Sequence, residues 1–426
     1  MIKLNSQIFQ TQISGISKKR PNNFLEGKYL SMKKIGIITS YKNYNYGSVL
    51  QAFALQNVIR ELSYDAVIIN YHKKAKYDYL LKLINYKNKI LLCIRRPYLI
   101  KKIFQDHLIF LSLMSSQSDD VKRKFDTFID EYCREYNDNY CRYATRDFYA
   151  FICGSDQIWN LDTVGLNPIL FLRFAPEYMR IAYAPSFGAI HIPEYNRRRL
   201  KQYLSQIPSL SVRESTGIDI IRQCTGREVK RVLDPVLLAG KDFWNQFIDT
   251  RTKKEYIVCY FLGDASEAYP VIDNLQGYLK TDVIWINSSH KLEGRQYRQV
   301  EPDPLEYVSF IQNAVFVCTD SFHATVFSVM LGTPFFVFDR KYETGKEQEG
   351  TRIDSFLLLV RLQNRKYSVK NGKIDTVMNI DFEYAQQVLE EVQKGSLQYL
   401  TDSLKTTIDG YNSINDRKKS KAGDRA

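Results

Sequence analysis

Short apolar runs separated by longer amphipathic segments recur along this chain. Lys34-Ile-Gly-Ile-Ile-Thr39 has the apolar interior of a strand buried on both faces; a loop at Gly47, a helix-period stretch over residues 49–62 and a second apolar run over 65–70 follow. This βαβ opening selects a parallel sheet, because only a crossover of helix length returns the chain to pair in the same direction. A helix is predicted around 121–136, with further strands at 148–153, 179–184, 210–213 and 228–233. After Asp234-Pro235 the pattern restarts, with strands at 256–262, 282–287, 314–319 and 334–338 and helices near 265–279, 304–312 and 321–331. The expected fold class is α/β: two Rossmann-like doubly wound domains facing a cleft, followed by two C-terminal helices at 381–393 and 397–411.

At 426 residues the chain is long enough for two such domains. The expected organisation is a leader or misassigned start over 1–31, an N-terminal domain over 32–240 carrying a basic aromatic insertion at about 71–118, and a linker over 238–254. A C-terminal domain over 255–365 and helices with a basic tail over 366–426 complete it. Open α/β sheets present their ligand loops at the carboxyl ends of the strands, so the cleft between the halves is the expected site.

The net charge of +13 is local. From Lys73 to Lys102, ten Lys or Arg face the single acid Asp78, interleaved with Tyr and Leu. The mixture suits an anionic membrane surface, and suits still better a solvated helical insertion packed on its own domain. No helix-turn-helix, zinc-finger or RNP pattern accompanies it, so nucleic acid is not an expected partner. No apolar run reaches the length of a membrane span and residues 1–31 lack a secretory h-region, which leads us to expect a cytoplasmic protein, peripheral at the inner membrane face. Seven cysteines without a CxxC pair read as buried thiols, and five dispersed histidines give no zinc spacing, so no metal is expected.

Several places carry chemistry. The run from Ala314 is a strand ending at Thr319-Asp320 that opens a helix at Ser321, with Phe322 and His323 in its first turn. Such a turn suits an anion and a proton-transferring His, or a capping histidine. Arg213, at the end of another strand, either binds an anion through its fork or pairs with Glu214. Lys346 and Arg352 sit in or after a polar loop over 339–350 that reads as a lid. Gly154-Ser-Asp-Gln-Ile-Trp159 supplies Ser155, Asp156, Gln157 and Trp159: a sugar-binding set, or a tight turn around a buried Trp. Asn45, Tyr46, Gly47 and Ser48 form a loop that can approach a ligand but match neither a P-loop nor GxGxxG.

These segments together resemble a family. Asn45-Tyr-Gly-Ser48, Leu50-Gln-Ala-Phe-Ala-Leu55, Gly154-Ser-Asp-Gln-Ile-Trp159, Tyr183-Ala-Pro-Ser-Phe-Gly188, Ser211-Val-Arg-Glu214, Leu233-Asp-Pro-Val236 and Thr319-Asp-Ser-Phe-His323 stand in the order and spacing of the polysaccharide pyruvyl transferases, over about 33–365. The resemblance implies a GT-B-like fold and transfer of the pyruvate unit of phosphoenolpyruvate to two hydroxyls of a sugar as a cyclic ketal, without metal or other cofactor. It makes His323 the general acid and base, with Arg213, Ser321, Phe322 and His323 on the donor. Asn45, Tyr46, Gly47, Ser48, Ser155, Asp156, Gln157, Trp159 and Ser186 fall on the acceptor side, and Asp156 joins His323 and Arg213 in the catalytic set.

Some members of that family carry Arg two positions before the histidine, where this chain has Ser321, so a second donor cation is expected from Arg352, with Lys346 or Arg340 behind it. The expected partners are phosphoenolpyruvate, a sugar acceptor carried on a lipid, and an anionic membrane surface, in the synthesis of a surface polysaccharide. Two other readings stand beside this one: a nucleotide-sugar glycosyltransferase of the same fold, and a non-catalytic binder of anions or nucleic acid.

Overall fold

The computed structural model describes residues 33–71, 90, 93–94, 97, 118–137, 140–161, 166–192, 194–248, 255–286, 292, 294–340, 351–367 and 380–423. The expected leader, most of the basic aromatic insertion, residues 249–254 and Lys346 lie outside them.

The first half runs β1 (Lys34–Ile38), α1 (Tyr46–Glu61), β2 (Asp65–Ile69), α2 (Asp119–Tyr132), β3 (Glu135–Tyr136), α3 (Tyr140–Asp147) and β4 (Phe148–Cys153). It continues through β5 (Arg180–Ala182), α4 (Glu194–Ser205), β6 (Ser209–Val212), α5 (Ser215–Thr225), β7 (Lys230–Arg231) and α6 (Pro235–Asn245). The second half holds β8 (Tyr256–Tyr260), α7 (Tyr269–Leu279), β9 (Asp282–Ile286), β10 (Arg298–Val300), α8 (Pro304–Asn313), β11 (Phe316–Thr319), α9 (Phe322–Leu331) and β12 (Phe335–Val337). Then come α10 (Thr351–Leu359) and α11 (Phe382–Gly423).

Among the described residues the strands form two sheets, in the orders β3-β2-β1-β4-β5-β6-β7 and β10-β9-β8-β11-β12. Every pairing is parallel. This is the expected α/β architecture of two doubly wound halves. The direction of winding reverses between β1 and β4 in the first sheet and between β8 and β11 in the second. A crevice opens at the carboxyl ends of strands at each reversal.

Local sequence explains how the key helices start. Asn45 caps α1, its side chain accepting from Ser48 N at 3.2 Å. Asp303 and Glu306 close a capping box on α8 around Pro304 at the first turn. All ten residues of α9 are buried, as expected of a helix that is apolar almost all round.

The halves share one continuous core. Tyr46 on α1 stacks on Tyr307 of α8 with ring centroids 4.3 Å apart, and its hydroxyl donates to Pro302 O at 2.8 Å. Trp244 of α6 meets Phe53 on one side and Phe327 of α9 on the other. Part of the stretch expected as a linker is therefore packed helix, kinked at Gly240, because Leu238, Phe243 and Trp244 have apolar surface to bury.

The two expected C-terminal helices are one. Gly395 costs a helix roughly 1 kcal/mol relative to Ala, but long-range contacts bracket it. Ser396 Oγ accepts from Leu233 N at 3.0 Å, Gln393 donates to Leu238 O at 2.8 Å, and Leu389, Leu400 and Leu404 are buried. Further along, Tyr399 donates to Ala182 O at 3.1 Å and Tyr411 to Thr145 O at 2.7 Å. The end of the chain thus returns to pack on the first half.

Candidate active site

The loops at the two reversals meet. After β4, Gly154 takes φ +119° and its missing side chain admits the Tyr183 carbonyl, while Asp156 takes φ +62°, a left-handed conformation that Asp tolerates. Gln51 of α1 holds this loop: its Oε1 accepts from Ser155 N at 3.1 Å and its Nε2 donates to Thr39 Oγ1 at 2.9 Å. Ser48 Oγ then donates to Asp156 Oδ2 at 2.5 Å.

From the second half, Thr319 Oγ1 accepts from Ser321 N at 3.0 Å, and the buried Asp320 accepts from Leu262 N and Gly263 N at 2.9 and 2.8 Å. The strand-to-helix turn is thereby fixed, and His323 projects into the crevice with its ring against Gly47.

Arg213, at the end of β6, is buried among three carboxylates. Its Nη1 bonds Asp234 Oδ2, Nη2 lies 3.8 Å from Asp156 Oδ1, and Nε lies 4.0 Å from Glu214 Oε2. Asp234 is the pivot. Its Oδ1 caps α6 by accepting from Val236 N at 3.0 Å, while Oδ2 also faces His323 Nε2 at 3.4 Å and accepts from Ser155 Oγ at 3.2 Å. Burial alone would raise the pKa of Asp234, but His323 and Arg213 outweigh it and hold the carboxyl well below its ordinary value. The same balance, helped by the Ser48 hydrogen bond, lowers Asp156. Burial opposes the charge on Arg213, and Asp234, Asp156 and Glu214 together raise its pKa in spite of it.

Arg352, on the first turn of α10, completes the cluster. The Gln157 side-chain oxygen accepts from its Nε and Nη2 at 3.1 and 3.0 Å. Two guanidiniums meet the ring of Phe322, with the Arg213 carbon 4.4 Å and the Arg352 carbon 5.7 Å from its centroid. Burial, with Arg213 and Arg340 nearby, pulls the pKa of Arg352 down to about 10.

The structure brings together His323, Arg213, Asp156, Gly47, Ser48, Ser155, Gln157, Phe322 and Arg352 from the expected set. Others have structural duties. Trp159, expected against a sugar, is fully buried, stacked on Phe171 at 5.1 Å and donating to Leu170 O at 3.1 Å, so both its ring and its N–H are spent inside the fold. The tight-turn reading is right for that residue. Tyr46 joins the two halves, and Asn45 and Ser321 cap helices. Ser186 donates to Glu214 Oε1 at 3.0 Å, orienting the carboxylate beside Arg213. Arg340 is engaged with Asp320, 3.2 Å from its Oδ2.

Sequence reading gave Asp234 no role. Its place before Pro235 marks a helix cap, and that local duty concealed the long-range one: a carboxylate has two oxygens, and only Oδ1 caps. Among the described residues no group of three His, Cys, Asp or Glu side chains is placed to hold a metal ion, and no helix is long and apolar enough to cross a membrane.

No curated protein matches the chain. Solved structures that resemble it include S. aureus MnaA in complex with UDP, at 12% identity over 84% of this chain and 91% of that one with a TM-score of 0.47. The UDP-GlcNAc 2-epimerase from Neisseria meningitidis bound to UDP-GlcNAc aligns at 12% identity over 87% and 100% with a TM-score of 0.41. The glycosyltransferase SnogD from Streptomyces nogalater aligns at 10% identity over 87% and 99% with a TM-score of 0.40. The family model for polysaccharide pyruvyl transferase matches residues 45–342, from the loop that opens α1 to beyond Arg340, and so takes in Gly47, Asp156, Arg213, Asp234 and His323. The chain belongs to the polysaccharide pyruvyl transferase family.

Proposed function

We propose that the protein transfers the pyruvate unit of phosphoenolpyruvate onto two hydroxyls of a sugar, forming a cyclic ketal on a surface polysaccharide or its precursor. The observation that carries this reading is the His323–Asp234–Arg213 cluster, with Asp156 3.8 Å from the Arg213 guanidinium and Arg352 held beside it by Gln157.

Each part has a task. Arg213 and Arg352 meet the negative charge of the donor. His323, oriented by Asp234, delivers a proton to the methylene carbon of the enol, which becomes a methyl group as positive charge develops at the neighbouring carbon. A sugar hydroxyl held by Asp156 attacks that carbon and loses its proton. Phosphate then leaves with the bonding electrons, and a second hydroxyl closes the ring and gives up its proton. One enol ester and one diol yield one ketal and one phosphate, and the protons from the two hydroxyls replace the one delivered to carbon and supply the one taken up by phosphate. No redox step is involved. Asp234 balances the charge of the imidazole whenever it is protonated, in a crevice where water competes weakly.

The proposed acceptor is a sugar on a lipid carrier, met at the inner face of the membrane. The test is phosphate release from phosphoenolpyruvate in the presence of a lipid-linked oligosaccharide fraction, with wild type and His323→Ala. Release that requires both the acceptor and His323, with the mass gain of one pyruvyl ketal on the sugar, supports the reading. Sugar transfer from a nucleotide donor, with no phosphate release from phosphoenolpyruvate, overturns it.

A further inference from the structure

Beside Arg213 a cavity lies between the carboxyl ends of β6 and β7 and the helix α10. Its polar lining comes from Arg213, Glu214, Arg231, Asp234, Arg352 and Ser355. Leu359 and Val392 are among its apolar walls. Arg352, Ser355 and Leu359 stand at i, i+3 and i+7 of α10 and so fall on one helix face. Across the cavity, Val212 pairs with Arg231 in the β6–β7 ladder, which brings Arg231 beside the point where Arg213 leaves its strand.

The charges here are unequally satisfied. Asp234 is taken up by Arg213, His323, Ser155 and the cap of α6, and Glu214 Oε1 by Ser186 and by Phe187 N at 2.8 Å. By contrast, Arg213 is 7% exposed, yet its Nε and Nη2 have no hydrogen-bond partner among the described residues. Arg231 is half-buried and its polar contact is neutral, Ser355 Oγ at 3.5 Å. Burial lowers its pKa without a carboxylate to restore it. Ser355 Oγ also accepts from Ser215 N at 3.4 Å, the first residue of α5, so the positive end of that eleven-residue helix opens on the same place. The remaining oxygen, Glu214 Oε2, lies 4.0 Å from Arg213 Nε and is the carboxylate atom an incoming anion must avoid.

We propose that Arg231 and Ser355, with the free N–H groups of Arg213 and with Arg352, form the pocket that holds the phosphate end of the donor and retains the phosphate after it leaves. The inference rests on the donor assigned above and adds two residues to it. A phosphate monoester has the charge and the acceptor oxygens to engage several guanidinium N–H groups and a hydroxyl together.

The test is binding by the full-length protein, using inorganic phosphate and phosphoenolpyruvate as separate titrants in wild type, Arg231→Gln, Arg231→Lys and Ser355→Ala, with thermal unfolding as the control for fold. We expect Arg231→Gln to weaken both ligands by roughly ten- to a hundredfold, the size of one charge-assisted contact. Arg231→Lys restores part of the loss, Ser355→Ala loses less, and KM for phosphoenolpyruvate rises far more than kcat falls. Wild-type affinity for both ligands in folded Arg231→Gln and Ser355→Ala overturns the pocket and leaves the donor assignment standing. A wild-type protein that binds neither phosphoenolpyruvate nor phosphate, and releases no phosphate with acceptor present, overturns the donor assignment itself.

Discussion

Gly47 and His323 touch across the two halves of the molecule: a Cβ at residue 47 would overlap Nδ1 of the imidazole. Gly47 lies in the first turn of α1 with ordinary helical geometry, so what excludes a side chain here is the closeness of the ring. Helix propensity favours alanine at this position by roughly 1 kcal/mol, and the ring opposes it. Gly47→Ala is expected to move the imidazole away from Asp234 and to lower kcat by at least about tenfold, because small misplacements of a reacting group are costly. Steady-state kinetics beside a melting curve checks this. Unchanged kcat would show that the contact does not position His323.

Arg213 is the counter-charge for Asp234, Asp156 and Glu214 at once, all of them buried. Arg213→Met is therefore expected to lose stability as well as donor binding, by about 3 to 5 kcal/mol, because it leaves buried carboxylates uncompensated. Denaturant unfolding measures it. A stable Arg213→Met protein with only a raised KM would limit the residue to ligand binding.

Asp234 makes acid stability predictable in sign. Its folded pKa is held below the ordinary carboxyl value of 3.8, despite burial, by His323 and Arg213. The carboxylate thus contributes stability that is fully present above that ordinary value and is lost as pH falls through the folded pKa. We expect the unfolding midpoint to fall below about pH 4, and Asp234→Asn to be less stable at neutral pH with a flatter acid limb. Parallel acid limbs for the two proteins would contradict this.

Arg352 has the opposite sign. Its folded pKa, about 10, lies below the ordinary guanidinium value, first through burial and then through Arg213 and Arg340. The unfolded chain binds this proton more tightly, so the charge costs stability at neutral pH, and the cost declines as pH rises through the folded value toward the unfolded one. Arg352→Leu is expected to raise the melting temperature while weakening phosphoenolpyruvate binding. Added phosphoenolpyruvate should stabilise wild type more than the variant. A variant that melts earlier and still binds the donor would refute both expectations.

The alternation of apolar runs with helix-period segments determined the two parallel sheets, because a strand buried on both faces and a crossover helix each leave a local signature. The residues at the strand ends carried Arg213, Asp156 and His323 into the crevice for the same reason: position along an element is local information. Tertiary structure decided which partners those groups have. Trp159 and Tyr46 belong to the core and the seam between halves because Phe171 and Tyr307, distant or differently placed in the chain, cover their rings. Gly395 is spanned by one helix because Leu233 and Leu238 hold the segments on either side of it. Asp234 becomes the link between Arg213 and His323, and Arg231 meets Ser355, only when β6, β7, α9 and α10 are packed together. A side chain's type and local duty are written in its neighbours along the chain, whereas burial and charge pairing depend on residues from a dozen to more than a hundred positions away, which only the folded arrangement brings within a few ångströms.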